Sequence, residues 1–433
     1  MDTENFLSWL YRPFIDLGVW EADGNPLTLG AHLASRALYE NDGSYPRLHG
    51  SIMPSSREVI VKTAGAMRYL VKDPRELGSE WRTPEWQGLC DHLDAYSGLD
   101  SGARLRSLWL LHRMGLHAVI LKCEVSVRPS ASDEGISEDD AALLYMRGLA
   151  KVILFYDGQT SLDTSELEQV VAYGRPGCWG HVEATYLLAQ LSIKSLDDID
   201  GFRHYVREHK KSIGAVDSEG QEQYKLLSRY HRIGAFLPQL AGDHASMSRE
   251  MDQAEHYCRL LYDADLGNRD DWQILRYGVL ESRTKENLLC EDIEAAEQYA
   301  VDLVSHAPAS PQARCTLGQV CIEKGDLDGA VESYRWASVL GPQVRHISEF
   351  MVGQCMEAQK RLPEACAAYF RSVESDPLAI SSVRRLRDVA AVARNSLLTT
   401  WADTRLRSLS ALSKGSQEDL LAYQKYGGIL GKS

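Results

Sequence analysis

Histidine and cysteine pairs are the side chains in this sequence whose types could bind a metal ion or activate a nucleophile. His112 and His117 are five residues apart in one predicted helix, and so are His204 and His209. Because a helix turns about 100° per residue, a spacing of five is expected to point the two rings in different directions. Neither pair is therefore predicted to form a site.

Cys178 and His181 have the spacing of metal ligands, in the segment GCWGHVEA at a predicted helix start. A zinc site needs three or four ligands, and no second pair stands nearby, so packing or capping is the favoured interpretation. The sequence also contains no GxxxxGK[ST], HExxH or GxSxG motif. We predict no catalytic residue, no metal ion and no cofactor.

Net charge indicates which kinds of partner the protein can bind, and cysteine usage indicates its cellular compartment. The chain has 433 residues, 47 Lys and Arg, 61 Asp and Glu, and a net charge of −14. An acidic balance argues against nucleic acid and anionic membranes as partners, and leaves simple solubility or a basic partner open. The first residues do not resemble a signal peptide, no 18 apolar residues run together, and the nine cysteines form no CxxC framework. The prediction is a cytoplasmic protein that does not bind membranes.

The elements that position these side chains are predicted to be helices almost throughout. Apolar residues recur at i, i+3, i+4 and i+7, strand signals are scarce, and the breaks are short. Residues 102–124 and 378–397 are each predicted as one helix, the second with a basic face (Arg384, Arg385, Arg387 and Arg394) that suits either capping of a repeat array or an anionic partner.

Internal repeats give the strongest signal in the sequence. Four pairs of identical residues are separated by 35 positions: Gly318 and Gly353, Ala330 and Ala365, Tyr334 and Tyr369, Pro342 and Pro377. Ala295 and Tyr299 extend two of these series one step back. A fixed period of this length indicates stacked helical hairpins.

The phase of the repeat resembles the tetratricopeptide repeat. Residues 314–342 read RCTLGQVCIEKGDLDGAVESYRWASVLGP, with Leu317 and Gly318 in the first helix and a turn at Gly325 and Asp326. The resemblance is clear over 311–377 and weaker over 180–310, where Arg283 stands in a position that the family fills with a small residue. It implies an all-α, right-handed α-solenoid of helix pairs, joined here to an N-terminal helical domain.

The positions of small and large residues in each repeat have a direct physical explanation. Gly318 and Ala330 allow the two helices of a pair to approach closely, since neither carries a bulky side chain. Tyr334 lies four residues after Ala330, on the same helical face, where it fills the remaining gap. Pro342 ends the second helix because it cannot continue it. Ala365, Tyr369 and Pro377 have the same roles in the next copy.

A partner groove follows from the resemblance, which implies that the first helix of each pair lines the concave side. The predicted groove residues are Gln312, Cys315, Gln319, Ile322, Ile347, Phe350, Gln354 and Glu357. Some family members capture a terminal carboxylate with Lys and Asn at such positions, and those residues are absent here. An apolar groove with amide groups suits an extended peptide or a helix.

The domain division and the function complete the prediction. The segments are an N-terminal helical domain with long loops (1–130), degenerate hairpins (138–275), repeats (276–377), and a capping helix with a tail (378–433). We predict a scaffold or adaptor that binds a protein or peptide. The alternatives are an enzyme with its site in the tryptophan-rich N-terminal domain, and a regulator that senses a small molecule or peptide through the repeats. The oligomeric state is left open.

Overall fold

The computed structural model describes ten segments of the chain: residues 73–76, 84–113, 116–125, 135–156, 160–217, 219–264, 270–308, 310–340, 342–376 and 379–412. Most of the predicted N-terminal domain 1–130, together with Pro377 and the C-terminal tail, lies outside them. The residues form two compact units, which meet in the chain between Glu286 and Asn287. We call them the N-terminal and C-terminal units. The predicted domain boundaries stay predictions.

The described residues fold into α-helices joined by short turns, and no strand occurs among them. The all-α prediction is confirmed. No helix in the segments given above combines the length and the apolarity needed to cross a bilayer. The helices are α1 Pro84–Asp94, α2 Ser101–Arg113, α3 His117–Lys122, α4 Glu138–Tyr156, α5 Ser165–Tyr173, α6 Trp179–Leu191, α7 Ile199–Gly214, α8 Gln221–Gly234, α9 Phe236–Leu240, α10 His244–Ala264, α11 Asp270–Leu289, α12 Ile293–His306, α13 Pro311–Lys324, α14 Leu327–Leu340, α15 Pro342–Ala358, α16 Leu362–Ser375, α17 Ile380–Val392 and α18 Ser396–Leu412.

Local capping chemistry explains where the repeat helices begin and end. At the start of α13 the Ser310 hydroxyl accepts a hydrogen bond from the Ala313 N–H, and Pro311 occupies the first helical position, where its missing N–H costs nothing. At its end Gly325 adopts a left-handed conformation with φ of 82°. The helix α14 ends at Leu340, two residues before Pro342, as predicted.

One turn recurs between the two helices of each of six successive pairs, from α6 to α18. A residue with positive φ is followed by a residue whose N–H donates back to a carbonyl near the end of the first helix, which is the Schellman arrangement. In five of the six cases the acceptor lies five residues back. In the first case it lies six back, because α6 continues into a π-helical turn at Ser192–Leu196. The turns are Asp197–Asp198, Gly242–Asp243, Glu291–Asp292, Gly325–Asp326, Lys360–Arg361 and Arg394–Asn395.

This turn makes the repeat visible where the sequence signal fades. The last four turns are spaced by 34 or 35 residues, the same period as the identical residues. In five of the six turns the second residue is an Asp or Asn whose side chain accepts an N–H of the following helix, as Asp326 does from Gly329 at 2.9 Å. At Lys360 the left-handed position of the turn is occupied by a lysine, whereas Gly242 and Gly325 occupy it in two other turns. The described array therefore extends through the pair α17 and α18.

Two predicted helices are wrong in extent. Residues 102–124 form two helices, α2 and α3, instead of one, and 378–397 ends at Val392. The second break has a clear physical cause, since Arg394 takes a φ of 56° and reverses the chain into α18. Of the predicted basic face, Arg385 pairs with Glu357 and Arg387 with Asp388, while Arg394 lies in the turn.

Each unit has its own hydrophobic core. The core of the N-terminal unit is built mainly from α2, α4, α5 and α6, with Leu108, Leu143 and Leu167 almost fully buried. The core of the C-terminal unit continues through α13 to α17, with Tyr334 and Tyr369 at its centre. Pairwise stacking of this kind buries one face of each helix against its chain neighbours.

Candidate functional site

The predicted groove residues lie in two parallel rows of the C-terminal unit. Gln312, Cys315, Gln319 and Ile322 belong to α13, and Ile347, Phe350, Gln354 and Glu357 belong to α15. The rows are neighbours, because the Cys315 Sγ lies 3.5 Å from the Ser348 Oγ on α15. Their role in binding stays a prediction.

The side chains of the two rows differ in how far solvent reaches them. Gln312 is exposed, and Ile347 is 43% exposed. Cys315, Ile322 and Phe350 are half-buried and pack against the core. The exposed members are therefore the ones whose substitution tests binding without disturbing the fold.

The acidic member of the rows is already engaged. The Tyr369 hydroxyl donates to the Glu357 carboxylate at 2.9 Å, and Arg385 from α17 lies 3.1 Å from the same group. Glu357 links α15, α16 and α17 and leaves no unbalanced negative charge in its row. The rows present apolar and amide groups.

The glycines, alanines and tyrosines assigned to the repeat lie in packed contacts of the C-terminal unit. Ala330 and Ala365 are fully buried, and Leu317 packs against the core. A Cβ atom on Gly318 would lie 2.7 Å from the Tyr334 ring, and one on Gly353 would lie 2.6 Å from the Tyr369 ring. In both copies the tyrosine occupies the space that the glycine leaves open.

Arg283 explains why the repeat signal is lost in α11. Its guanidinium is buried and pairs with Glu286 at 2.9 Å, with Glu255 at 3.1 Å and with Asp252. Glu255 and Asp252 belong to α10. An ion-pair cluster thus joins these two helices at the place where other repeats use a small residue.

The expectation that His112 and His117 point apart is wrong. The two rings meet, with 3.2 Å between the His117 Nε2 and the His112 Nδ1. The helical spacing argument fails because the two residues belong to separate helices, α2 and α3. Among the described residues no group of three or more His, Cys, Asp or Glu is arranged to hold a metal ion.

The other candidate pairs serve packing. Cys178 is buried at the start of α6, where burial raises the pKa of its thiol. The His181 Nδ1 lies 3.0 Å from the Ser212 hydroxyl on α7. The His209 Nδ1 lies 3.0 Å from the Thr185 hydroxyl on α6, and His204 is exposed. These contacts hold α6 and α7 together as a helix pair.

A second surface, in the N-terminal unit, gathers positive charge. We call it the basic surface and define it by residues on the first helices of three successive pairs and on the π turn. They are Glu183 and Tyr186 on α6, Lys194 on the π turn, Arg229 and Arg232 on α8, and Glu281 and Lys285 on α11. The spacings of three and four residues place each pair of side chains on one helical face.

Ion pairs and a cation–π contact order the floor of the basic surface. Arg229 makes two hydrogen bonds to the Glu183 carboxylate, one of 2.8 Å, and its guanidinium lies 4.2 Å from the centre of the Tyr186 ring. Burial acts to raise the pKa of Glu183, but the charge of Arg229 outweighs it and the pKa is lowered. Arg232 donates to the Tyr186 hydroxyl.

The outer part of the basic surface carries an excess of cations. The exposed Lys194 ammonium lies within electrostatic reach of Glu281, Lys285 and Arg232. Glu281 pairs with Lys285 at 2.6 Å. The basic surface as defined has four cations and two carboxylates, so two positive charges are not matched within it.

Sequence reasoning missed the basic surface. The available signal was the placement of Lys225, Arg229 and Arg232 at spacings of four and three in segment 221–234, on a helix that corresponds to the groove-lining helices of the clear repeats. The net charge of the whole chain hides such a local excess, because it sums all charges regardless of their place.

Comparison with known proteins identifies the fold. No family model and no curated protein sequence matches the chain. Human IFIT1, solved as a dimer with m7Gppp-AAAA, superimposes with a TM-score of 0.52 and 13% sequence identity, over 94% of this chain and 96% of that one. Yeast Tom70 matches with a TM-score of 0.45 and 13% identity, over 98% of this chain and 81% of that one.

The exclusion of nucleic acid from the partners is wrong. It was argued from the net charge of −14, but the IFIT1 structure shows the same fold in complex with a capped RNA. A net charge averages over the whole chain, whereas binding depends on the field at one surface. The basic surface is an example within this acidic chain.

Proposed function

From the tetratricopeptide-type helical-repeat fold of this chain, we propose that it is a binding scaffold whose C-terminal repeats hold a protein or peptide partner. The observation that carries the proposal is the exposed Ile347 among amide groups on neighbouring helices α13 and α15. An apolar side chain with polar neighbours suits a partner that binds through side-chain contacts in a groove. We place the scaffold in the cytoplasm, in keeping with nine cysteines that are all free thiols.

The test compares two substitutions of exposed aliphatic residues in the same unit. Ile347→Glu introduces a charge into the groove rows. Val339→Glu introduces the same charge on α14, at a residue that is 76% exposed and outside the rows. We expect affinity purification from the native cell to recover the partner with the wild type and with Val339→Glu, and to lose it with Ile347→Glu. Equal recovery with all three would rule out the groove assignment.

Nucleic acid is the second candidate partner, and it is favoured by the basic surface of the N-terminal unit. Two unmatched positive charges attract a polyanion, because neutralising phosphates releases their counterions. The example of human IFIT1 with m7Gppp-AAAA is consistent with this candidate. Binding of a labelled oligonucleotide at low and moderate salt tests it directly, and a wild-type chain that binds at neither salt concentration would eliminate it.

A further inference from the structure

The cations at the edge of the basic surface differ in how firmly they are held. Lys194 is exposed, and no hydrogen bond or ion pair engages its ammonium among the described residues. Arg232 is held by the Tyr186 hydroxyl and lies over Gly278 of α11, where a Cβ atom would approach its Nη1 to 2.5 Å. Glycine at 278 therefore provides the space in which the guanidinium lies. One cation is fixed and its neighbour is available to a ligand.

An aromatic ring lies on the same helical face as the basic surface. Trp179 precedes Glu183 by four residues and Tyr186 by seven, so all three share one face of α6. Trp179 is 39% exposed. Its ring is supported from behind by Tyr145 at 5.0 Å in an edge-to-face contact and by Trp109 at 5.5 Å. The indole is thus a fixed ring that solvent reaches.

The indole and the cations are separated by a distance that suits a linear ligand. Trp179 and Lys194 are 15 positions apart, which corresponds to roughly 20 Å of helical rise. Arg229 and Arg232 of the neighbouring helix lie between these ends, since they contact Glu183 and Tyr186. A cationic track with an aromatic ring at one end is the arrangement that proteins use for single-stranded nucleic acid.

We infer that the basic surface binds single-stranded nucleic acid, with phosphates at Lys194, Arg232 and Lys285 and a base stacked on Trp179. The inference rests on the second candidate function and assigns its site. An acidic peptide would satisfy the cations equally well, but it offers no planar group as a regular partner for the exposed indole. The aromatic ring in line with the cations therefore favours the nucleic acid.

The test measures the affinity of the full chain for fluorescent 12-residue oligo(rU) and oligo(dT) between about 50 and 200 mM salt. Lys194→Ala removes the unengaged ammonium. Lys211→Ala is the matched control, because Lys211 is exposed on α7, pairs with Glu208 and changes the net charge equally. Trp179→Leu removes the stacking ring while it keeps an apolar side chain against Tyr145.

We expect the wild type and Lys211→Ala to bind alike. Lys194→Ala is expected to weaken binding several-fold and to reduce the slope of log affinity against log salt by about 0.7. Trp179→Leu is expected to weaken it about tenfold with no change in slope. A preference for oligo(rU) or oligo(dT) identifies the kind of strand and supports the site in either case.

Two results would overturn the inference. If the wild type binds and Lys194→Ala behaves as Lys211→Ala does, the site lies elsewhere, although nucleic-acid binding stands. If a polyglutamate peptide of equal charge competes as strongly as the unlabelled oligonucleotide, the surface takes an acidic peptide instead. A wild type that binds no oligonucleotide removes the second candidate function itself.

Discussion

At the residue scale, buried histidines show how helix pairing fixes protonation. His209 is fully buried between α6 and α7 and bonds to Thr185. Burial lowers the pKa of its imidazole to about 3, and the charge of Arg229 lowers it too. The ring is therefore neutral in the folded chain across the physiological range, and a proton binds it only after unfolding.

This gives a prediction for acid stability. The unfolded histidine has a pKa near 6.5, so below that pH the unfolded state binds a proton that the folded state refuses until about pH 3. The contribution of His209 to the unfolding free energy is expected to fall by about 2 kcal/mol between pH 7 and pH 5. Urea unfolding at the two pH values measures it. His209→Gln should remove that loss, and His204→Gln, at an exposed position of the same helix, should keep it.

At the element scale, the recurrent Schellman turn sets the angle between the helices of each pair. Gly325 adopts the left-handed conformation without cost, whereas Glu291, Lys360 and Arg394 adopt it with a side chain. A left-handed residue other than glycine costs roughly 1 kcal/mol. The fold tolerates this cost because the turn satisfies carbonyls at the helix end.

Glycine at the Lys360 turn is expected to stabilise the protein. Lys360→Gly should raise the unfolding free energy by up to about 1 kcal/mol, because it removes the strain of a φ of 63°. Gly325→Ala should lower it by a similar amount, although its Cβ would meet no atom within 4 Å. Chemical denaturation measures both. Lys360→Ala, which keeps the strain, should be neutral, and a gain from that variant would contradict the explanation.

The Arg283 cluster makes a second prediction about elements. Arg283→Met is expected to lower the unfolding free energy by about 3 kcal/mol, because Glu286 is buried and loses its partner. The double variant Arg283→Met with Glu286→Met should recover most of that loss, since no uncompensated charge remains buried. Thermal and urea unfolding of the wild type, the single variant and the double variant measure these differences in unfolding free energy. A double variant less stable than the single one would show that the ions themselves stabilise the contact between α10 and α11.

At the scale of the whole molecule, stability in a stacked array comes from neighbouring pairs. In the C-terminal unit each helix packs mainly on the helices next to it in sequence, and the core is continuous along that order. A local defect is therefore expected to spread to neighbouring pairs first.

Hydrogen exchange can test this locality. Gly353→Ala forces a Cβ atom to within 2.6 Å of the Tyr369 ring and is expected to cost about 1–3 kcal/mol by overpacking. Exchange should rise in α15 and α16, then in α14 and α17, and last in α12. Gly214→Ala, whose Cβ would meet nothing within 4 Å, should leave exchange unchanged. Uniform exchange along the C-terminal unit would indicate one cooperative block instead.

The sequence alone determined the class of fold and the repeat, because both depend on local patterns. Helical periodicity depends on residues three and four apart. The 35-residue spacing and the pairing of Gly318 with Tyr334 depend on helices that follow one another in the chain. The same reasoning placed the groove rows on α13 and α15. It failed at His112 and His117, where a break between two helices, invisible in composition, brought the rings together.

Only the tertiary structure decided which charges act together. Lys194, Arg232 and Lys285 are far apart in sequence, in a chain with a net charge of −14. Stacking places them on adjacent helices, so their fields add at one surface. Electrostatic fields depend on distance in space and not on position in the chain. The basic surface is for that reason a property of the fold.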